Sequence, residues 1–168
     1  HCFHAADPNG FFVGLLDDEP IATISAVKYG RYFGFLGFYI VKPEYRGRGY
    51  GMGIWNTALA SLQERTIGLD SVVAQQDNYR KSGFTVAYRN IRYQGTGGGP
   101  HPEDEEIVSL STIPFITTDE YDKPFFPDDR GLLLKNWINQ PEHTALGILH
   151  NRALVGYGVV RRCREGYK

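Results

Sequence analysis

Seven residues, Tyr45-Arg46-Gly47-Arg48-Gly49-Tyr50-Gly51, constrain this chain more than any other stretch, because they separate a strand-like run from a helix-like one. Phe33 to Val41 (FGFLGFYIV) is dense in aromatic and β-branched residues and predicts a buried strand. Met52 to Leu62 places Ile54, Leu59 and Leu62, with Trp55 and Ala58 between them, near helical spacing. A strand, a glycine-rich turn with two arginines and a helix together make an anion site. Glycines let a backbone approach a phosphate, the helix N-terminus offers N–H groups, and the arginines add charge.

Two common phosphate loops do not fit. A Walker A loop needs Lys-Ser or Lys-Thr after its last glycine, whereas Gly51 is followed by Met52 and Gly53. A dinucleotide G-x-G-x-x-G pattern starting at Gly47 and Gly49 requires glycine at position 52, which is Met. What remains is Arg46-x-x-Gly49-x-Gly51 after a strand, preceded by Pro43-Glu44-Tyr45. This pattern resembles the acetyl-CoA pyrophosphate loop of the GCN5-related N-acetyltransferases (GNATs). Tyr79-Arg80-Lys81-Ser82-Gly83-Phe84 resembles the Y-x-x-x-G-F element that closes the cofactor site in the same family.

The order of elements agrees with that resemblance. Gly10 to Leu16 and Ile21 to Val27 flank Asp17-Asp18-Glu19-Pro20, a hairpin signal. Ser71-Val72-Val73-Ala74 predicts a strand before the tyrosine element, and Thr85 to Tyr93 predicts another after it. The likeness covers about residues 10 to 94. Taken singly, the arginine-glycine turn reads equally well as a solvated turn. Tyr79 alone reads as a packing tyrosine and Gly83 alone as a helix C-terminal glycine. Only the combination, in this order, points to one family.

Composition bounds the function. With 168 residues, 42% of them hydrophobic, the chain can bury one domain core and part of another. A net charge of −1 gives no broad basic footprint, which argues against nucleic acid as the partner. No apolar run reaches membrane-spanning length, so no membrane partner and a cytoplasmic location are expected. Cys2 and Cys163 suggest two free thiols rather than a disulfide framework. No C-x-x-C or H-E-x-x-H spacing calls for a metal. The chain starts at His1, and the resemblance implies a strand and one or two helices ahead of the hairpin, so a fragment of a longer protein is expected.

A break falls after residue 94. Gln94 to Pro102 is turn-rich and is followed by Glu103-Asp104-Glu105-Glu106, which reads as a linker over 95–106. His101 with these carboxylates reads as solvated linker rather than metal site. Beyond it, Ile107 to Leu110 predicts a strand, Asp128 to Ile138 a helix, and Thr144 to Leu149 with Ala153 to Val160 a hairpin. This β-α-β-β order resembles the opening half of a second acetyltransferase-like fold. The expected fold class is therefore α/β (α+β): a mixed, mostly antiparallel sheet flanked by helices in 1–94, with part of a similar domain in 107–168.

The resemblance implies acetyl transfer from acetyl-CoA, as co-substrate, to a small or protein primary amine. No Ser-His-Asp or Cys-His arrangement offers a nucleophile with a base, which suits direct attack rather than an acyl-enzyme. Backbone groups of Phe38, Tyr39, Ile40 and Val41 are expected to hold the pantetheine arm, with a strand bulge permitted by Gly37. Arg46, Gly47, Arg48, Gly49, Tyr50 and Gly51 are expected to take the pyrophosphate. Tyr79 is the candidate acid for the departing thiolate, since a phenol of pKa about 10 can protonate sulfur at neutral pH. Asn78 or Gln76 is a candidate pantetheine contact, although the resemblance implies an asparagine about two helical turns before the tyrosine rather than beside it. The strand from Phe33 to Val41 contains no Asp or Glu to serve as base. A non-catalytic acyl-CoA-binding or regulatory module is the alternative, a general phosphate or nucleotide binder is a third reading, and homo-oligomerisation is left open.

Overall fold

The computed structural model describes residues 2–97 and 106–168. In chain order the described residues form α1 (Cys2–Ala6), β1 (Phe11–Leu16), β2 (Glu19–Tyr29), β3 (Phe33–Val41), α2 (Tyr50–Ser61), β4 (Thr66–Leu69) and α3 (Gln76–Lys81). There follow β5 (Ile107–Ser109), α4 (Phe115–Asp122), α5 (Gly131–Ile138), β6 (His143–His150) and β7 (Ala153–Arg161). They fall into two compact units, one of His1–Leu69 with Glu105–Lys168, the other of Asp70–Asp104. Of the linker expected at 95–106, residues 98–105 lie outside the described residues, and with them His101, Glu103, Asp104 and Glu105.

In the larger unit one sheet runs β1-β2-β3-β4, antiparallel except for the parallel β3–β4 pair. The expected first hairpin forms, and its turn is Asp17-Asp18 with φ of 49° and 66°. A two-residue hairpin loop needs left-handed residues to match the strand twist, and Asp tolerates that region. The same device recurs at Asn151-Arg152 (φ 50° and 66°), where β6 turns into β7. α2 buries Ile54, Trp55 and Ala58 and packs against β1, β2 and β3. Another cluster gathers buried Val27, Tyr29 and Phe33 with Phe3 and Ala6 of α1, Phe126, and Leu133 of α5.

The strand expected at Ser71–Ala74 is not there. Val73–Gln75 is a single helical turn, with Val72 and Val73 69% and 83% exposed. The strand that pairs with β3 comes earlier, at Thr66–Leu69. Its signal is weakened by Gly68, which a close packing contact demands: a Cβ there would stand 2.7 Å from the Phe33 ring. Thr85 to Tyr93 also forms no strand. Its aromatic and β-branched residues satisfy the propensity, but a strand exists only with a ladder partner.

The second sheet, β5-β6-β7, is antiparallel throughout, and its strands lie where the sequence predicts them. The helix expected from Asp128 starts instead at Gly131, whose N–H donates to Asp129 Oδ1 at 2.8 Å. Asp128 serves the other sheet: its Oδ2 accepts from the backbone N–H groups of Tyr32 (2.5 Å) and Phe33 (3.1 Å). Arg65 Nη1 meanwhile donates to the carbonyls of Tyr29, Gly30 and Phe33 at 3.2, 3.2 and 3.0 Å. The β2–β3 turn is thus held by an anion on its N–H groups and a cation on its carbonyls. α1 and α4 were not anticipated from the sequence.

Candidate active site

The site is built around the last residues of β3. The β3–β4 ladder runs from Phe33↔Thr66 to Leu36↔Leu69, and β3 continues past it through Gly37–Val41. In that same stretch the pairing with β2 slips, from Ser25↔Gly37 to Thr23↔Ile40, so β3 carries one extra residue. This is the bulge expected at Gly37, but the residue in the unusual conformation is Phe38, at φ 49°. A non-glycine residue at positive φ is held there by its surroundings, at a cost on the order of 1–3 kcal/mol. Thr23 Oγ1 donates to the Phe38 carbonyl at 2.9 Å, one of the contacts that fix it. Phe38, Tyr39 and Ile40 are 50%, 37% and 58% exposed, a run of large apolar side chains on the surface. The Tyr39 ring lies 5.4 Å from that of Trp55 in α2, tying this strand end to the helix.

From Val41 the chain enters the arginine-glycine loop. Arg46 Nε donates to the Val41 carbonyl at 2.9 Å, so this arginine folds back on the strand end. Gly47 and Gly49 have φ of 72° and 85°, and Gly49 is the N-cap of α2. A Cβ added at either would meet nothing within 4 Å. These glycines therefore answer to backbone conformation, not to a crowding neighbour. No side chain caps α2, and its first turn holds no acidic residue. Ordinary helices place Ser, Thr, Asp or Asn there, and Gly49 leaves the partial positive charge of this N-terminus without a capping side chain.

Upstream the loop is braced by residues that local motif reading could not find. Glu19, at the start of β2, accepts from Lys42 Nζ (2.7 Å) and Tyr45 O–H (2.7 Å). The Arg48 guanidinium stands 6.0 Å from the Tyr45 ring centre, and the Tyr50 ring 6.3 Å from it. Hydrogen bonds from Lys42 and Tyr45 hold the Glu19 carboxyl below its usual range. Glu19 belongs to the hairpin in the sequence, and only the fold brings it to residues 42–45.

In the smaller unit, Tyr79-x-x-x-Gly83-Phe84 closes the end of α3. The N–H of Phe84 donates to the Tyr79 carbonyl (3.2 Å) and that of Gly83 to the Arg80 carbonyl (3.0 Å), with Gly83 at φ 88°. These are the paired bonds of a Schellman cap, and its usual apolar contact is the Phe84 ring against Tyr79, 6.2 Å between centres. The glycine and phenylalanine of the motif are thus accounted for by helix termination, and their effect is to orient the tyrosine. Burial pushes the Tyr79 phenol above its ordinary pKa. The Asn78 side chain donates to Gln75 Oε1 at 2.8 Å on an exposed face.

Among the described residues no group of three His, Cys, Asp or Glu side chains is placed to hold a metal ion, and no helix is long and apolar enough to cross a membrane. The bulged end of β3, the glycine loop and the uncapped start of α2 follow one another without a break. The family model for the acetyltransferase (GNAT) family matches residues 1–84, half of the chain, and a second GNAT-domain model matches 119–168. The chain belongs to the GNAT acetyltransferase family. It is 30% identical to holothin acyltransferase of Pseudoalteromonas sp. (strain SANK 73390), over 99% of this chain and 56% of that protein. An uncharacterized protein of Caenorhabditis elegans is 46% identical over 28% of this chain and 15% of its own length. A crystal structure of a candidate acetyltransferase from Pyrococcus horikoshii superposes with a TM-score of 0.74 at 24% identity, over 96% of this chain and 55% of that one, and shares the fold. The chain thus spans about half the length of these two full-coverage relatives.

Proposed function

We propose that this chain carries the acetyl-CoA-binding core of an N-acetyltransferase acting on a primary amine by direct attack. The observation that carries the reading is the continuity of the bulged β3 end with an uncapped α2 through a loop whose two glycines occupy left-handed conformations. Acetyl-CoA supplies the thioester-bound acetyl group and leaves as free thiol.

Each candidate residue has a task in this reading. Backbone groups of Phe38, Tyr39, Ile40 and Val41 take the pantetheine arm, and an N–H beside the bulge polarises the thioester carbonyl, worth roughly 10²-fold or more per well-placed donor. Arg46, Gly47, Arg48, Gly49, Tyr50 and Gly51 hold the pyrophosphate through loop and helix N–H groups, with arginine charge added. Asn78 contributes a side-chain amide to the pantetheine arm. Tyr79 gives its phenolic proton to the thiolate, and its raised pKa keeps that proton in place at neutral pH. Residues 1–94 form the cofactor domain, 95–106 a linker, and 107–168 part of a second, similar domain. The separate family matches at 1–84 and 119–168 support that division.

Calorimetry with acetyl-CoA and with ATP, followed by thiol release against a panel of amines, tests the reading. Tight acetyl-CoA binding, weak ATP binding and amine-dependent thiol release are expected. Acetyl-CoA binding with no amine giving thiol above background favours a non-catalytic module instead. Equal affinity for acetyl-CoA and ATP rejects the assignment of the loop.

A further inference from the structure

Glu19 is an acid set against a loop assigned to an anion. The N–H of Lys42 donates to the Ile21 carbonyl at 3.0 Å, so the pairing of β2 with this segment continues past the end of β3, toward Glu19 at the start of β2. The chain then makes one tight turn. The N–H of Tyr45 donates to the Lys42 carbonyl (3.0 Å) and that of Arg46 to the Pro43 carbonyl (3.2 Å). Side chains three residues apart on such a turn point the same way. One carboxylate can therefore take both: Glu19 Oε1 accepts from Lys42 Nζ and Oε2 from the Tyr45 O–H, each at 2.7 Å.

By Coulomb's law alone, a carboxylate here repels a pyrophosphate. Lys42 cancels that charge, and the bond to Tyr45 has a separate effect. The Tyr45 ring carries the Arg48 guanidinium 6.0 Å from its centre and has the Tyr50 ring edge-on at 6.3 Å. Arg48 and Tyr50 flank Gly49, the N-cap of α2. Gly47 and Gly49 leave this backbone free to move, so the loop loses freedom when it closes on a ligand. A Tyr45 ring already fixed removes part of that loss. The Glu19 hydrogen bond is the main cause that raises the Tyr45 phenol above its ordinary pKa, so the donor keeps its proton. Arg46 is held without this support, by the Val41 carbonyl.

We propose that Glu19 is a positioning residue for the acetyl-CoA pyrophosphate: through Tyr45 it presets Arg48 and Tyr50 on either side of Gly49, while Lys42 neutralises its charge. This rests on the acyl-transfer reading of the loop. Were charge alone decisive, any neutral residue at position 19 would tighten acetyl-CoA binding. Under positioning, the residue at 19 must accept from Tyr45. The loop serves a part of the cofactor remote from the reacting carbonyl, so ground and transition states are held alike and the effect falls on KM, not kcat.

Acetyl-CoA affinity measured by calorimetry, with acetyl-CoA KM and kcat from thiol release, tests this in Glu19→Ala, Glu19→Gln, Tyr45→Phe and the Glu19→Ala/Tyr45→Phe pair. The Glu19 and Lys42 side chains are 49% and 43% exposed, and surface changes of this kind leave a fold standing, which circular dichroism verifies. Glu19→Ala and Tyr45→Phe should each raise the acetyl-CoA Kd and KM about fivefold, and the pair should lose no more than either alone. Glu19→Gln, whose side-chain carbonyl still accepts from Tyr45, should recover most of the affinity. Unchanged or tighter binding in Glu19→Ala, a Glu19→Gln as weak as Glu19→Ala, or losses that add in the pair overturns the positioning role alone. Failure of the wild-type chain to bind acetyl-CoA overturns the acyl-transfer reading and the positioning role with it.

Discussion

Gly49 and Tyr79 are the two residues on which the proposed chemistry turns, and they act through different physics. Gly49 works through its backbone: at φ 85°, with open space where a Cβ would go, it starts α2 in a conformation that other residues adopt at about 1–2 kcal/mol. Gly49→Ala should therefore weaken acetyl-CoA binding about tenfold, read by calorimetry, with little change in the far-ultraviolet spectrum. Tyr79 works through one proton. Tyr79→Phe keeps the ring contact with Phe84 and removes the proton, so kcat should fall about 10²-fold or more while acetyl-CoA affinity holds. Because burial raises the Tyr79 pKa, the phenol stays protonated through its ordinary range. Any alkaline loss of kcat that depends on it should lie above pH ~10 and vanish in Tyr79→Phe. A limb near pH 8 that persists in both proteins would assign the acid elsewhere.

Between elements, the sharpest test lies in a buried charge network that joins α4, α5 and β7. Asp122, with its side chain 4% exposed, accepts from Arg130 Nε (2.6 Å) and Nη2 (2.7 Å) and from the Tyr157 O–H (2.5 Å). Arg130 also lies 4.4 Å from the centre of the Phe126 ring, which stands edge-on to Tyr29 and Phe33 of the first sheet. Burial pushes the Asp122 carboxyl up, but hydrogen bonds from Arg130 and Tyr157 and the Arg130 charge outweigh it and leave the pKa lowered. A lowered folded pKa gives stability that is present above the unfolded value and lost as pH falls through the folded one. The melting temperature should thus fall below pH ~4, and less steeply in Asp122→Asn. Asp122→Ala strands a part-buried guanidinium and should cost about 3 kcal/mol in denaturant unfolding. A loss under 1 kcal/mol would mean that water reaches Arg130 freely.

Across the whole molecule, what was legible in the sequence was local. Both hairpins, β3, α2 and the arginine-glycine loop carry their signals within a dozen residues, as alternation, helical spacing or turn chemistry. What escaped depends on partners distant in the chain. β4 is hidden because Gly68 is set by the Phe33 ring, and Asp128 reads as a helix start although it serves a turn 96 residues away. Thr85–Tyr93 had the composition of a strand without a ladder. Among the candidate residues, the loop glycines and Tyr79 could be named from the sequence, whereas Glu19 could not, because only the fold brings it to Lys42 and Tyr45. The measurement that bears most directly on the assigned function is calorimetric titration of the full chain and of Gly49→Ala with acetyl-CoA, with ATP as comparison. Acetyl-CoA should bind the wild-type chain well above ATP, and Gly49→Ala should bind it about tenfold more weakly. Equal affinity for the two ligands, or no effect of Gly49→Ala, would contradict the assignment of the arginine-glycine loop to the CoA pyrophosphate.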